Sequence, residues 1–587
     1  MLFYSSPSGI GRLPSIFIMV SRLSNMFSVM PSLGLFDSVN AALCGPCRCF
    51  PGDACWPSTT QWHSFNSTIG GKLIASVPLA AVCHNDVFAA FDSKKCDALQ
   101  DNWFSPETHL VSSSSPMSYL FTNNTCNPFL DAAASCTLGN LVSYSVNATT
   151  TTDVQQTLAF AKVNNIRLVI RNTGHDYNGK STAAGALGLW LHHMDSISLV
   201  SKYSSKAYTG PAVTLGAGVS IYDAYKFADS HNGIIVGGNC PTVALAGGYT
   251  QGGGHGPLAS KYGLAVDQVL EWQVVTANGS LLKASPARNA DLYWALSGGG
   301  GGTYGVVVSL TVKLYPQETA AAATLTFAVP STTTGTDDFW SSVRTFLGSL
   351  PAMVDSGLLV SWTLVPGAFL VSPASGPEVS QATIDRMFAP TLTRLNKTNI
   401  PYQYRSRSFS RWLQSYEAFN LPSANVSNSI IGSRLIPRSV IKRQVDDFIS
   451  TLKTIVQNNF LAVGNSLTVS NQSSTSVAVN PYWRRTLVHL SIGTFLNYQD
   501  FDSNLQAQDL MTNTLIPLLA ELTPNGAAYL NEADFQQPNW QSVFYGANYG
   551  LLDSIKSKYD PSDIFYALGA VGSDRWKEEE DGRLCQT

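Results

Sequence analysis

Residues 237–256 read GGNCPTVALAGGYTQGGGHG, with eight glycines in twenty positions. Glycine in the interior of a helix or strand costs about 0.5–1 kcal/mol, so this density predicts a loop whose backbone closely approaches another group. A flexible linker is the alternative, but the run has no Gly/Ser repeat and holds Cys240, Pro241, Tyr249 and His255. We therefore predict a loop that binds a large planar or phosphorylated ligand.

The composition limits the classes of function. The chain has 36 basic and 39 acidic residues, and the net charge of −3 gives no sign of a nucleic-acid partner. Only 13% of residues are charged, so the polar surface comes largely from Ser, Thr and Asn, as in many secreted proteins. No uninterrupted apolar run reaches the roughly 18 residues of a membrane helix, and we expect no membrane span. At 587 residues the chain can form two large domains, or one domain with a large insertion.

The cysteines are concentrated near the N-terminus. Eight of the ten precede residue 137, an even number that predicts a disulfide-rich cap whose pairing the sequence leaves open: Cys44, Cys47, Cys49, Cys55, Cys83, Cys96, Cys126 and Cys136. The spacing Cys44-x2-Cys47-x-Cys49-x5-Cys55 also suits zinc, but no His-x3–5-His partner follows, and we predict no metal. Cys240 and Cys585 stand apart from this group.

Glycosylation sequons indicate a secreted or lumenal protein. Seven occur, and each alone is weak: Asn66, Asn123, Asn147, Asn278, Asn396, Asn425 and Asn471. Residues 1–43 hold two broken apolar pieces instead of one clean signal core, so the N-terminus is atypical for secretion.

Secondary-structure signals become regular after the cap, which has no clear periodicity and is predicted to be irregular. Residues 141–146 predict a strand, a capping box at Thr152-x-x-Gln155 opens a helix, and residues 167–170 predict a second strand, which together form a β-α-β unit. Residues 171–177, RNTGHDY, then form a polar loop at a strand's carboxyl end, where α/β sheets bind ligands. Asn278-Gly279 predicts a hairpin.

A second glycine motif matches a nucleotide-binding fingerprint only in its letters. Gly300-x-Gly302-x-x-Gly305 follows a short predicted helix and precedes the strand VVVSLTVKL, whereas the Rossmann fingerprint links a strand to a helix. We therefore reject a Rossmann fold for this segment.

Five ordered motifs carry a family resemblance. They are RLVIRNTGHDYNGKS, GGNCPTV with AGGYTQGGGHG, KYGLAVDQVLEWQVVTANG, DLYWALSGGGGGTYGVV and NYGLLDSIKSKYDPSDIFY, within residues 141–576. In these the chain resembles the berberine-bridge-enzyme-like, FAD-linked oxidases of the vanillyl-alcohol oxidase superfamily, and most of all the fungal branch that is often labelled isoamyl-alcohol-oxidase-like.

The resemblance implies an α+β fold. A two-part PCMH-type FAD-binding domain would occupy residues 137–325 and return in a berberine-bridge-type segment at 525–587. An inserted substrate domain, an antiparallel sheet covered by helices, would occupy 326–524. Residues 1–43 would be a leader and 44–136 the cysteine-rich cap, which plant relatives lack in this form.

The resemblance also implies bicovalent FAD. The histidine that matches His175 is bonded to the flavin 8α methyl group in the family, and the cysteine that matches Cys240 to the flavin 6-position. Imidazole and thiolate are the nucleophiles that such bonds need. The same motifs imply further cofactor contacts: Arg171, Asn172, Thr173, Gly174, Asp176, Gly238, Thr242, Gly247, Gly248, Tyr249, Gly252, Gly253, Gly254, His255, Gly256, Val275, Asn548 and Tyr549. Tyr249 stands in place of a family histidine that contacts the ribityl chain, in a loop one residue longer, so the motif implies that Tyr249 lies at the cofactor but does not imply that histidine's ribityl contact.

We expect an oxidase that transfers hydride from an alcohol or related C–H donor of a small molecule to FAD and makes H2O2 from O2. Candidates for the proton acceptor are Tyr529, ranked first by motif position, with Asn531 and Glu532; Arg434 lies where other relatives carry a carboxylate nearby. Val243 occupies the position at which valine admits oxygen to the flavin in relatives and leucine hinders it.

Several alternatives stay open from the sequence. They are an oligosaccharide oxidase, a flavin dehydrogenase that excludes O2, and a flavin-binding protein that has lost turnover. We expect a monomer, and the sequence does not identify the substrate.

Overall fold

The computed structural model describes residues 47–330, 335–469 and 476–587. The leader prediction for 1–43, Cys44 and the sequon at Asn471 lie outside these ranges. The elements up to residue 316 are α1 (Thr59–Thr68), β1 (Leu73–Ala75), α2 (Ser93–Asn102), α3 (Pro106–Leu110), β2 (Tyr144–Asn147), α4 (Thr151–Val163), β3 (Leu168–Arg171), β4 (Leu187–Trp190), β5 (Ile197–Ser204), β6 (Thr209–Gly216), α5 (Ile221–Ser230), β7 (Gly233–Ile234), α6 (Ala259–Tyr262), β8 (Val269–Val275), β9 (Leu281–Ala284), α7 (Ala290–Leu296), β10 (Val306–Lys313) and β11 (Tyr315–Pro316).

The elements from residue 320 onward include a long run of antiparallel strands. They are β12 (Ala320–Ala328), α8 (Gly335–Asp355), β13 (Leu359–Val365), β14 (Ala368–Pro377), α9 (Gln381–Lys397), β15 (Tyr402–Phe409), α10 (Trp412–Asn420), β16 (Ser429–Pro437), α11 (Arg438–Arg443), α12 (Val445–Gln457), β17 (Leu461–Ser466), β18 (Thr486–Phe495), α13 (Phe501–Leu510), α14 (Ile516–Glu521), α15 (Tyr549–Tyr559), β19 (Trp576–Glu578) and β20 (Leu584–Gln586).

A four-stranded sheet in the order β1-β2-β4-β3 contains the predicted β-α-β unit. Strands β2 and β3 are both parallel to β4, which lies between them, and α4 connects β2 to β3. The capping box is at Thr150 and Asp153, two residues before the predicted one, because the Thr150 hydroxyl and the Asp153 carboxylate satisfy each other's backbone N–H groups. The helix therefore begins slightly earlier than the sequence predicted.

A five-stranded antiparallel sheet in the order β5-β6-β10-β8-β9 follows. The predicted hairpin is confirmed, since β8 and β9 pair across the turn at Asn278 and Gly279, where Gly279 has a φ of +82°. The second glycine motif lies between α7 and β10, so it leads into a strand and the rejection of a Rossmann unit stands.

The third sheet is antiparallel and has seven strands in the order β15-β12-β14-β13-β17-β18-β16. Helices α8, α9, α11 and α12 cover it, and their apolar faces share one buried cluster with its strands. Residues 438–457 form two helices, α11 and α12, because Gln444 between them leaves helical geometry with φ −137° and ψ 30°. Together the mixed sheets confirm the predicted α+β fold, while the domain boundaries stay predictions.

The N-terminal cap is more regular than predicted. It contains α1, α2 and α3, and Phe65 of α1 stacks on Phe160 of α4 with ring centroids 4.1 Å apart. The sequence shows no clear periodicity here because each of these helices is short, with lengths of 10, 10 and 5 residues. Within the described residues, no helix is long and apolar enough to cross a membrane.

Disulfides join the cap to itself and to the chain's end. The pairs are Cys49–Cys55, Cys83–Cys96, Cys126–Cys136 and Cys47–Cys585. The first three confirm pairing within the N-terminal group, and together with Cys47–Cys585 they bond every cysteine described there, which leaves no free thiol among them for the zinc alternative. Cys585, for which the sequence predicts no role, bonds to Cys47. The backbone N–H of Arg48, which follows Cys47, donates to the Leu584 backbone oxygen at 2.8 Å.

Candidate active site

A deep cavity opens at the carboxyl end of β3. It encloses about 1260 Å³ of space, including its opening to solvent. Its wall is built from the loop after β3, the glycine-rich run 237–256, the second glycine motif and the segment before α15. The predicted residues on this wall are Asn172, Thr173, Gly174, His175, Asp176, Val243, Gly247, Gly248, Tyr249, Tyr529, Asn531 and Glu532.

Two glycine turns, one at Gly248 and one at Gly301, pack against each other in the cavity wall. A Cβ at Gly301 would lie 2.8 Å from the Gly248 Cα, so these backbones could not approach with side chains between them. A Cβ at Gly248 would meet nothing within 4 Å and would project into free space. The glycines thus keep room for a ligand that lies against the backbone, as the opening motif predicted.

His175 and Cys240 lie next to each other. His175 is on the wall, and Cys240 Sγ lies 3.9 Å from its Nε2 atom. Thr242 Oγ1 lies 2.8 Å from the same nitrogen. Burial lowers the pKa of His175 to about 4, so the imidazole is neutral at neutral pH. Among the described cysteines, Cys240 alone is not in a disulfide.

Buried amide oxygens add unused acceptors to the wall. Asn172 Oδ1 and Gln251 Oε1 are buried without a hydrogen-bond partner among the described residues. An unpaired buried polar atom is costly, so both suit the N–H or hydroxyl groups of a bound ligand.

Tyr529 and Asn531 also line the cavity. The Asn531 amide donates to the Tyr529 hydroxyl at 2.7 Å and to the Gly248 backbone oxygen at 2.8 Å. Burial, and next the charge of Glu532, raise the pKa of Tyr529 well above its usual range. The phenol therefore keeps its proton. This does not favour Tyr529 as the proton acceptor, although the motif position ranks it first.

Glu532 is held between two histidines. Its Oε1 lies 3.1 Å from His255 Nε2 and its Oε2 lies 3.7 Å from His489 Nδ1, while 29% of its side chain is exposed. Burial opposes the charge, but the adjacent His255 and His489 and the His255 hydrogen bond hold the pKa of Glu532 below its usual range. The carboxylate is therefore ionised at neutral pH and able to accept a proton.

Sequence reasoning missed His489. It lies on β18, is fully buried, and neither ring nitrogen has a hydrogen-bond partner among the described residues. Its ring packs 4.7 Å from that of His255 and 5.5 Å from that of Tyr529. The only signal was a polar residue in an apolar strand, LVHLSI, where an unpaired imidazole is expensive.

Arg171 is a correction to the predicted cofactor contacts. Strand alternation turns Ile170 and Asn172 to the cavity, so Arg171 points to the other side. Arg171 is 2% exposed, and its guanidinium donates to backbone oxygens of the cap at His109 (3.0 Å) and Ser115 (2.8 Å), and also to Ser112. It anchors the cap beneath the loop that carries His175.

Other predicted contacts lie behind the cavity wall. Glycines of the run allow close packing against other parts of the protein. A Cβ at Gly256 would lie 2.0 Å from the Gly237 oxygen, and a Cβ at Gly252 would lie 2.5 Å from the Asn531 side chain. Val275 is in the core between sheets. The set that is not on the wall is Cys240, Thr242, Gly238, Gly252, Gly253, Gly254, His255, Gly256, Val275, Asn548 and Tyr549. Of these, Cys240, Thr242 and His255 contact wall residues through their side chains.

Asn548, Tyr549 and Arg434 have structural partners instead. Asn548 donates to the Ala478 and Val479 oxygens at 3.0 and 3.1 Å, and Tyr549 donates to Asp574 at 3.0 Å. Arg434 on β16 is buried and donates twice to Thr523, at 2.8 and 3.0 Å. These bonds engage side-chain polar groups of all three residues, and none of the three lies on the cavity wall.

Known proteins share this fold and these segments. A family model described as "FAD binding domain" matches residues 142–285, and one described as "Berberine and berberine like" matches 528–571. The FAD-linked oxidoreductase sor8 of Hypocrea jecorina is 46% identical over 92% of this chain and 93% of its own. The VAO-type flavoprotein oxidase VAO615 of Thermothelomyces thermophilus is 39% identical over 92% and 95%.

A solved structure agrees with the architecture. The VAO-type flavoprotein MtVAO615 from Myceliophthora thermophila C1 has a TM-score of 0.88 and 38% identity, over 92% of this chain and all of that one. The fold and the relatives define an FAD-dependent oxidoreductase. The chain belongs to the berberine-bridge-enzyme-like, FAD-linked oxidoreductases of the vanillyl-alcohol oxidase superfamily.

Proposed function

We propose that the protein is an oxidase that removes hydride from an alcohol or related C–H donor of a small organic molecule, with O2 as the final acceptor. One observation carries this proposal: His175, which contacts Cys240, and Glu532, which contacts His255, both line one cavity. The first pair suits attachment of the cofactor, and the second suits removal of a proton from its substrate.

The residues present fit FAD. The glycine turns leave room for a planar ring, the Asn172 and Gln251 oxygens are free to accept hydrogen bonds, and His175 and Cys240 supply two adjacent nucleophiles. We propose that both hold the flavin covalently, His175 at the 8α methyl group and Cys240 at the 6-position. When bound, FAD supplies two-electron oxidation by accepting hydride from a substrate carbon.

Glu532 is the proposed proton acceptor. It is ionised, partly exposed to the cavity and fixed in orientation by the 3.1 Å contact with His255. Tyr529 and Asn531 would orient the substrate, since the phenol keeps its proton and can only donate or accept a hydrogen bond. A neutral substrate hydroxyl would lose its proton to Glu532 as its carbon loses hydride.

Val243 supports oxygen as the electron acceptor. It is half-buried on the cavity wall, three residues after Cys240. Its short branched side chain leaves more room there than leucine would, which favours the oxidase over the dehydrogenase alternative.

Location and assembly are also proposals. The disulfides suit an oxidising compartment, and four sequon asparagines are exposed: Asn123, Asn278, Asn396 and Asn425. We propose a secreted, glycosylated monomer with the domain boundaries predicted above.

A peroxide-coupled screen tests the function. The holoenzyme would be mixed in air with primary and secondary alcohols, polyols, phenols and oligosaccharides, and H2O2 would be compared with oxidised product. We expect one H2O2 for each product molecule with at least one compound class. Anaerobic bleaching of the flavin by a substrate without peroxide in air would favour the dehydrogenase instead.

A further inference from the structure

A hydroxyl group connects the two proposed attachment residues. Thr242 Oγ1 lies 2.8 Å from His175 Nε2 and 3.5 Å from Cys240 Sγ, and the sulfur and the nitrogen are 3.9 Å apart. Among the described residues, the Thr242 hydroxyl makes no side-chain hydrogen bond besides these two contacts. A hydroxyl can donate one hydrogen bond while it accepts another, so it can bridge a donor and an acceptor.

The thiol needs such a bridge. A thiolate is the reactive form of cysteine, but burial raises the pKa of Cys240 above its usual value. Hydrogen bonds from the Thr242 side chain and from the Thr242 and Val243 backbone only partly offset this effect. An acceptor for the thiol proton is therefore required, and the neutral imidazole of His175 is the nearest one in this cluster.

We propose that Thr242 relays the thiol proton of Cys240 to Nε2 of His175, which makes it a positioning residue for covalent attachment of FAD at Cys240. The inference rests on the proposed bicovalent cofactor. The Cys240 thiol gives its proton to Thr242 Oγ1 while the Thr242 hydroxyl gives its own proton to His175 Nε2. The result is a thiolate and an imidazolium, and the Thr242 hydroxyl stays neutral.

The attachment then balances with O2 as oxidant. Sγ bonds to flavin carbon 6, the C6–H bond breaks, and its electron pair stays on the ring, which is reduced by two electrons. The thiol proton, held for a time on His175, and the C6 proton complete the reduced flavin. O2 removes two electrons and two protons as H2O2 and leaves the oxidised, attached cofactor.

Three variants test the relay. Thr242→Val removes the hydroxyl and keeps the shape, Thr242→Ser restores the hydroxyl, and Thr214→Val is a matched change on β6, where Thr214 contacts Thr311 at 2.9 Å. Each holoenzyme would be denatured in acid, alkylated with iodoacetamide and digested. Mass spectrometry would then give the flavin-bearing fraction of the Cys240 and His175 peptides. Thr242→Ala replaces Thr242→Val if the latter does not fold.

We expect the flavin-bearing fraction at Cys240 to fall about tenfold in Thr242→Val while the His175 peptide keeps its flavin, because the buried thiol no longer loses its proton. Thr242→Ser and Thr214→Val should match wild type. Aerobic incubation of Thr242→Val at about pH 9.5 should restore attachment, since solvent then removes the proton, and a merely structural defect would not respond.

Two results would overturn the relay alone. These are equal occupancy at Cys240 in Thr242→Val and wild type, and a loss at Cys240 that alkaline incubation does not reverse. Wild-type enzyme without flavin on the Cys240 peptide would overturn the bicovalent proposal together with the relay.

Discussion

Glu532 Oε1 lies 3.1 Å from His255 Nε2. His255 belongs to the glycine-rich run, and Glu532 belongs to the berberine-like segment. The contact joins positions 277 residues apart and fixes the carboxylate on the cavity wall. It is the structural basis for assigning proton transfer to Glu532.

Replacing this carboxylate should stop chemistry and keep the fold. Glu532→Gln keeps size and hydrogen bonding but cannot accept a proton, so anaerobic flavin reduction by the best substrate of the screen should slow by about 10²–10⁴-fold. Stopped-flow absorbance measures this rate. Glu521→Gln, an exposed change on α14, is the control. Reduction at the wild-type rate in Glu532→Gln would remove Glu532 from the mechanism.

The pH dependence should follow the same carboxylate. The general base must be ionised, and its pKa is held below the ordinary glutamate value of 4.5, so kcat/KM should stay high down to that pH and fall only below it. His255→Asn removes one group that lowers this pKa and should move the acid limb upward. The measurement is kcat/KM against pH, with enzyme stability checked at each pH. An acid limb above 6, unchanged by the variant, would contradict the assignment.

Oxygen reactivity should depend on Val243. Leucine extends one carbon further into a close-packed wall and would fill space that a diatomic molecule needs, so Val243→Leu should slow reoxidation of reduced enzyme by orders of magnitude. Anaerobic reduction by substrate should change little. Mixing reduced enzyme with oxygenated buffer gives the rate, and Val163→Leu at an 83% exposed position is the control. Equal reoxidation in both variants would show that Val243 does not control oxygen access, and slow reoxidation of the wild type would favour the dehydrogenase alternative.

The bond between the chain's ends should stabilise the protein. Cys47–Cys585 spans 538 residues, whereas Cys49–Cys55 spans 6, and a longer closed loop restricts the unfolded chain more. Cys585→Ser should lower the free energy of unfolding by about 2–4 kcal/mol, and the Cys49→Ser/Cys55→Ser variant by less. Urea unfolding without reductant measures both. Thiol counting on denatured wild type should find most of the ten cysteines blocked.

The sequence predicts local features of this molecule well. Asn278-Gly279 and the β-α-β unit depend on neighbouring residues, and the glycine run needs no partner to be recognised as a close-approach loop. Arg171 was predicted to contact the cofactor because it belongs to the motif RNTGHDY. Alternation along the strand instead turns its side chain away from the cavity and toward the cap.

Long-range partners were beyond the sequence. Neither Cys47 nor Cys585 carries a local sign of the other, and pairing became visible only when the sheets brought both ends together. His489 is similar, since a lone histidine in an apolar strand gains meaning only beside Glu532 and His255.

Peptide mass mapping of acid-denatured wild-type protein shows whether His175 and Cys240 both hold the cofactor covalently. We expect a yellow precipitate in which the peptide containing His175 and the peptide containing Cys240 are each crosslinked to FAD. A colourless precipitate, with all flavin released into the supernatant and both peptides at their unmodified mass, would contradict covalent attachment.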